Sequence, residues 1–308
     1  MTKSDELSKL KEDQKTLSGR ARAWDCNGIE TEAQWWERNA PQAKWTDLLV
    51  PLVIVAVLFI VGITQSFAAS SNCKHLFVDG AMPLIAKGAT RPDDIQSKFL
   101  CRKLYAVEYN PVRKTSYWSA QKLEASMLTM SSKRVDAFKS DPDLLPSESA
   151  HPSDYVRSGY DKGHLAPVGD MHSDSSAMLE SFYMSNMIPQ VPGNNRDGWS
   201  NFEDWVREMT QARGTLYVIT GPVYIGNDIQ VIGDGNVWVP THIYKVIYDP
   251  KANAVLSVMV PNKPFTLRDL PKYVVPVARV QNATKVVFFP WVKGYKSSKE
   301  MWTSKSSN

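Results

Sequence analysis

Residues 160–205 read YDKGHLAPVGDMHSDSSAMLESFYMSNMIPQVPGNNRDGWSNFEDW, and this stretch carries most of what the chain says about itself. Trp199, Phe202, Val206 and Met209 recur at helical spacing, so Trp199–Arg213 is predicted as a helix. Met178–Met187 also reads as a helix, and its methionines suit a packed core better than a metal site. Generic cofactor motifs are absent from the whole sequence. There is no GxxxxGK[ST] loop, no GxGxxG after a strand, no GxSxG elbow and no HExxH.

The residue types in this stretch fit one kind of chemistry. Hydrolysis of a phosphodiester needs a base that titrates near neutrality to deprotonate water. It also needs a hard divalent ion at the phosphate and the leaving 3′ oxygen. Mg²⁺ keeps most of its waters, so one amide or carboxylate oxygen can hold it. His164, Asn195, Glu203 and nearby Arg and Lys residues supply these types. Asn195 and Glu203 are eight residues apart, about two helical turns, and can share a helix face. Asn195 at a helix start would lie beside free N–H groups and the positive end of the dipole. On residue type alone two blander readings stay open: His164 as a loop residue, and Asn195 as a simple N-cap.

Outward from this segment, residues 73–295 read as one domain, of a length that suits a single α/β or α+β core. Leu104–Tyr109, Leu216–Thr220, His242–Tyr248 and Val255–Val260 are predicted strands, by their β-branched and aromatic content. Asp141–Ser158, rich in Pro, Ser and Asp, is predicted as a surface loop. His172 reads as a loop residue, and His75, His151 and His242 have no zinc-like spacing. Residues 296–308 form a polar C-terminal tail. The 308 residues are 43% hydrophobic and 22% charged with a net charge of +4, which excludes wholesale disorder and a basic nucleic-acid coat. Eight Lys/Arg and nine Asp/Glu fall in residues 1–68, leaving 28 basic and 23 acidic residues in the remainder. That surplus suits a few aimed cations.

Residues 1–46 form a polar, charge-mixed N-terminal tail, and residues 47–69 are predicted as a transmembrane signal anchor. Leu48 to Cys73 contains no charged residue, and a run of about 20 largely apolar residues can span a hydrocarbon core. Membrane contact is therefore expected through residues 48–68. A signal peptide cleaved near Ala68 and a buried helix of a soluble protein are the other readings. Arg38 and Lys44 before the run against Lys74 after it favour a cytoplasmic N-terminus. Cys26 precedes the run, whereas Cys73 and Cys101 follow it. A Cys73–Cys101 bridge in an oxidising compartment would contribute roughly 3 kcal/mol. Three ordinary free thiols are the alternative.

In combination these motifs resemble the DNA/RNA non-specific endonucleases, a ββα-metal (His-Me finger) family. The family's D-R-G-H stands here as Asp161-Lys162-Gly163-His164. Ser185, Asn186, Pro189 and Gln190 match its SN-x-x-PQ block, and Asn194 through Trp199 to Glu203 match N-N-R-x-x-W-x-x-x-E. YVITGPVY at 217–224 and VPTHIYKVIYD at 239–249 are similar to its later core strands. The likeness covers about residues 73–262 and implies an α+β fold with a central antiparallel sheet. The opening CKHLFVDGAMP, after the apolar run, resembles a secreted bacterial branch. With the anchor, this leads to the expectation of a bacterial inner-membrane protein with a periplasmic domain.

The resemblance also implies roles. His164 would be the general base, and Asn195 the direct ligand of one Mg²⁺, with Mn²⁺ as a substitute. Glu203 would orient the metal's waters. Arg134 would stabilise the phosphate, its plain alternative being an exposed loop cation. Arg196 would reach a phosphate or simply be solvated. Asn186 would brace the site or serve as an interior hydrogen-bonding residue, and Asp161 would orient the loop. DNA and RNA would be the substrates, with a homodimer and an inhibitor protein as further partners. One departure stands out. Lys162 replaces the family's arginine, which keeps the charge but loses the planar grip on phosphate. A weakened domain that only binds nucleic acid is therefore the competing expectation.

Overall fold

Residues 73–86, 97–129 and 136–297 are described in a computed structural model of the chain. The tail 1–46, the apolar run 48–68, Arg134 and residues 298–308 lie outside the described residues. Along the chain the strands are β1 Leu84–Ile85, β2 Lys98–Cys101, β3 Ala106–Asn110, β4 Thr115–Glu124, β5 Asp161–His164 and β6 Met187–Gln190. They continue as β7 Thr215–Val223, β8 Val231–Ile232, β9 Val237–Trp238, β10 His242–Asp249, β11 Ala254–Pro261, β12 Val286–Val287 and β13 Lys296–Ser297. The α-helices are α1 Ser175–Ser181, α2 Ser200–Arg213 and α3 Val277–Thr284.

The four strands expected from β-branched and aromatic content are β3, β7, β10 and β11. They belong to a seven-stranded sheet of order β13-β11-β10-β7-β4-β3-β2, antiparallel except where β13 joins β11. Both faces of this sheet are covered, which is why its strands read as nearly continuous apolar runs. One face sends Leu123, Leu216, Val218, Ile243, Ile247, Leu256 and Val258 against α2. The other sends Ala120, Ile219, Tyr244, Val246, Val255 and Met259 against Val277 and Val280 of α3 and the Phe288–Phe289 segment. From α2, Phe202, Trp205, Val206, Met209 and Thr210 are buried, at the spacing of one helix face. Burying each large apolar side chain contributes about 1.5–3 kcal/mol, so the α2 seam fixes the helix on the sheet.

The Met178–Met187 helix ends early. Asp174 caps α1 by accepting from Ser176 N and Ala177 N, and the helix stops at Ser181. A 3-10 turn at Met184–Asn186 follows, and Met187 opens β6. Buried Asn186 explains the break: its Nδ2 donates to the carbonyls of Ser181 and Ala166, both at 2.9 Å. These bonds hold the chain in a turn that a continuous helix could not make. The Asp141–Ser158 segment is irregular as expected, yet Asp141 and Asp154 within it are buried. Asp141 pairs with Arg102 at 2.5 Å, and Asp154 accepts from Gly235 N at 2.9 Å.

Cys73 and Cys101 form a disulfide across 28 residues. It ties the start of the domain to the end of β2. Loop-closure entropy puts the contribution of such a bridge at about 3 kcal/mol.

Candidate active site

Strands β5 and β6 pair antiparallel, with Asp161 opposite Gln190 and His164 opposite Met187. This hairpin is the link that brings the two halves of the 160–205 segment together. Gly163 is required in it, because a Cβ there would run into the Gln190 side chain, with Gln190 Cβ only 2.7 Å away. Gln190 is fully buried and donates through Nε2 to Asn194 Oδ1 at 2.7 Å. Asn194, also buried, donates to the carbonyls of Pro261 and Lys263 at 2.9 and 3.0 Å. One chain of contacts therefore runs from the His164 strand to the turn that carries Asn195.

That turn is not a plain helix start. Asn194–Trp199 forms a π-helical turn that leads directly into α2. It lies tightly on the Pro264–Phe265 segment: a Cβ on Gly193 would stand 2.9 Å from Pro264, and one on Gly198 would stand 2.5 Å from the Phe265 carbonyl. Since Gly193 is the cap residue of the turn, the alternative of a simple N-cap does not hold for Asn195. Its Nδ2 donates to Asp161 Oδ2 at 3.0 Å, which leaves the carboxamide oxygen as the atom able to take a ligand.

Asp161 holds two neighbours at once. Besides Asn195 it accepts from Arg196 Nε at 2.8 Å and from Arg196 Nη2 at 2.5 Å. Partial burial pushes this carboxyl upward, but the hydrogen bonds from Arg196 and Asn195 and the charges of Arg196 and Lys162 outweigh it. The group is held below the usual aspartate range. Arg196 is thus braced by Asp161 while its side chain stays largely exposed, at 68%.

His164, Lys162, Asn195, Arg196 and Glu203 all line one open cleft of about 650 Å³. The His164 ring packs edge-on to Phe182, at 5.1 Å, and lies 5.7 Å from Phe138. The Lys162 ammonium sits 4.9 Å from the Phe138 ring centre and 5.8 Å from that of Tyr155. Lys162 and His164 thereby share an aromatic platform. Asn186 accepts from Ala166 N at 3.0 Å, so its part is an interior brace just past His164.

The cleft also holds an arginine that the motifs do not single out. Arg207 lines the cleft four residues after Glu203, and its Nη1 donates to buried Asp170 at 2.9 Å while Nη2 donates to Asp204. The i,i+4 spacing from Glu203 was the signal that could have found it. His172 lies in a turn as expected but also lines the cleft.

Below Glu203 lies a buried charge network. Asp170 accepts from Gln121 Nε2 at 2.5 Å, and fully buried Lys245 donates to Thr220 Oγ1 at 2.8 Å. Burial drives Glu203 up to about 7, with Asp170 and Asp204 adding to the rise and Lys245 and Arg207 opposing it. Burial likewise lowers Lys245, against the pull of Glu203 and Asp170.

Hard oxygen donors dominate the Asn195–Glu203 part of the cleft, and among the described residues no group of three or more His, Cys, Asp or Glu residues gathers as a metal cage. That donor set fits an ion that keeps most of its water, as Mg²⁺ does.

Hairpin, π-turn and helix define an α+β protein with a polar, cation-rimmed cleft on a β-β-α unit. Residues 83–294 match the model of the DNA/RNA non-specific endonucleases, and the chain belongs to that family. It is 35% identical to the mitochondrial nuclease EXOG of Danio rerio over 202 residues, covering 60% of this chain and 59% of that protein. It is 30% identical to mitochondrial endonuclease G of Homo sapiens over 203 residues, covering 61% and 68%. Nuclease C1 of Cunninghamella echinulata is 35% identical over 207 residues, covering 62% and 82%. The fold also matches a chain in the crystal structure of an EndoG/EndoGI complex, which concerns how EndoG is inhibited. There the TM-score is 0.59 at 32% identity, over 62% of this chain and 85% of that one. The matched region spans 59% and 56% of the EXOG proteins of Danio rerio and Homo sapiens.

These relatives overturn the expectation of a bacterial inner-membrane protein with a periplasmic or exported domain. EXOG and endonuclease G are mitochondrial nucleases, and among the described residues no helix is long and apolar enough to cross a membrane. The expectation rested on residues 48–68, which lie outside the described residues. An apolar run carries a length, and length does not name a compartment.

Proposed function

We propose that this chain is a metal-dependent endonuclease that hydrolyses internal phosphodiester bonds in DNA and RNA. One observation carries the reading: His164, Asn195 and Glu203 converge with Lys162, Arg196 and Arg207 on a single polar cleft. His164 takes a proton from the attacking water, whose oxygen bonds to phosphorus as the bond to the 3′ oxygen breaks. Asn195, through its carboxamide oxygen, would hold the divalent ion, and Glu203 accepts hydrogen bonds from water in the cleft. When bound there, such an ion would supply Lewis-acid stabilisation of the phosphate and of the leaving oxygen. Lys162 and Arg207 offset charge that builds on the phosphoryl oxygens. Asp161 keeps the Asn195 amide oriented and restrains Arg196, which together hold the turn in one arrangement.

Recognition runs through the backbone, since these cations read charge and not base edges. An inhibitor protein is the further partner class, supported by the EndoG/EndoGI likeness. Closed circular DNA and closed circular single-stranded RNA test the reading, because neither has an end. Purified protein with Mg²⁺ is expected to open both circles, and EDTA to stop it. Intact circles with both Mg²⁺ and Mn²⁺ would overturn it.

A further inference from the structure

Lys245 is the least expected residue in the sheet. It lies in the middle of β10, opposite Thr220 of β7 and Val258 of β11. Its side chain is among the largest that are fully buried. Among the described residues the ammonium has one hydrogen-bond partner, Thr220 Oγ1, and it lies 5.1 Å from the Trp199 ring centre. No carboxylate among the described residues comes within ion-pair distance of it. A buried ammonium without a direct counter-ion is costly, and an apolar side chain would pack there more cheaply. Nothing in the hydrophobic core calls for this charge.

The surroundings give it a purpose. Lys245 lies on the α2-facing side of the sheet, where Trp199 and Phe202 pack. Trp199, over which the ammonium sits, stands about one helical turn before Glu203 on the same side of the helix, and the charged groups that act on Glu203 come from three elements: Asp204 and Arg207 from α2, Asp170 from the segment after β5, and Lys245 from β10. Asp170 and Asp204 both disfavour a charged Glu203. Arg207, the other cation, is already engaged by those same two aspartates. Lys245 is thus the cation of the group that no carboxylate has claimed.

We propose that Lys245 is a positioning residue that supplies the counter-charge for the Glu203 carboxylate from beneath α2, so that Glu203 faces the divalent-ion site as an anion. The proposal rests on the function given above, and it extends the site one layer into the sheet. Burial already lifts Glu203 to about 7 with Lys245 opposing the rise, so loss of the ammonium moves it higher still.

Lys245→Met keeps the stem and removes the charge. Metal-free wild type, K245M, E203Q and the double variant are titrated with Mn²⁺ by electron paramagnetic resonance. Melting temperature and cleavage rates with pH are measured in parallel. K245M is expected to melt no lower than wild type and to bind Mn²⁺ about 10–100-fold more weakly. Its kcat should fall with KM for nucleic acid nearly unchanged, and the acid limb of its kcat profile should move to higher pH. In the E203Q background K245M should add no further loss of Mn²⁺ affinity. Wild-type Mn²⁺ affinity in K245M, or an equal loss with and without Glu203, overturns the proposal. Thr220→Val, which keeps Lys245 but removes its anchor, carries the same test if K245M does not fold, with a smaller loss in the same direction. Wild-type protein that neither binds Mn²⁺ nor cuts nucleic acid defeats the proposed function itself, whereas an active wild type with an indifferent K245M defeats only this inference.

Discussion

Asp161→Ala is the substitution whose effects the site geometry separates most cleanly. Asp161 accepts one hydrogen bond from Asn195 and two from Arg196. The Arg196 pair is open to solvent on the arginine side, so screening leaves it little weight in stability. The Asn195 bond contributes about 0.5–1.5 kcal/mol. For a domain of 150–250 residues, about 1 kcal/mol lowers the melting temperature by about 2–4 °C. The functional loss should be much larger. With Nδ2 released, the Asn195 amide can rotate its oxygen away from the cleft. Loss of an orienting partner of a metal ligand costs about 10–100-fold in metal affinity. KM should move the other way, because a like charge near the phosphate disappears and Arg196 is set free. The assay pairs Mn²⁺ calorimetry with kcat and KM on a defined duplex. Asp161→Asn, which keeps an acceptor but no charge, should lie between wild type and D161A. If D161A binds Mn²⁺ as wild type does, then Asp161 does not orient Asn195 and the account of the turn is wrong.

Three other perturbations follow from the same contacts. Gly163→Ala forces Gln190 aside and strains the Gln190–Asn194 bond; overpacking of this kind costs about 1–3 kcal/mol, read as a lower urea midpoint with a lower kcat. An unchanged midpoint would show that the hairpin yields to the extra carbon. Cys73→Ser should cost about 3 kcal/mol by chain-entropy reasoning and make wild type and variant equally stable under reducing conditions, a comparison made by thermal melting with and without reductant. Glu203 has a folded-state value of about 7, above the 4.5 of the free side chain, so its ionisation opposes folding of the metal-free protein. Its contribution therefore favours the folded state increasingly as pH falls from about 7 to 4.5. E203Q should melt above wild type at pH 8, and the difference should close toward pH 4.5.

The residues of the candidate site are easier to name from the sequence than the shape that carries them. His164, Asn195 and Glu203 could be named from residue type and motif, and the hairpin and helix bring all three to one cleft. The π-turn was hidden, because it depends on Gly193 and Gly198 lying against Pro264 and Phe265, contacts about 70 residues away in the chain. The early end of α1 was hidden for a similar reason: buried Asn186 satisfies backbone groups on both sides of the break. Central strand β4 escaped notice because Thr115, Ser116, Ser119 and Gln121 interrupt its apolar pattern. All four are buried, and Ser116 and Gln121 find partners in Ser185 and Asp170. Lys245 stands within an apolar strand, and nothing local in the sequence distinguishes a buried lysine from a solvated one.

The central claim is that His164 and the Asn195–Glu203 helix form one hydrolytic centre. Its most direct test is the rate at which equal amounts of folded wild type and His164→Ala open supercoiled plasmid in Mg²⁺. The account predicts that wild type opens it and that H164A, still folded and still binding Mn²⁺, is slower by at least about 100-fold, the lower bound of general-base catalysis. Equal rates would place the chemistry somewhere other than His164.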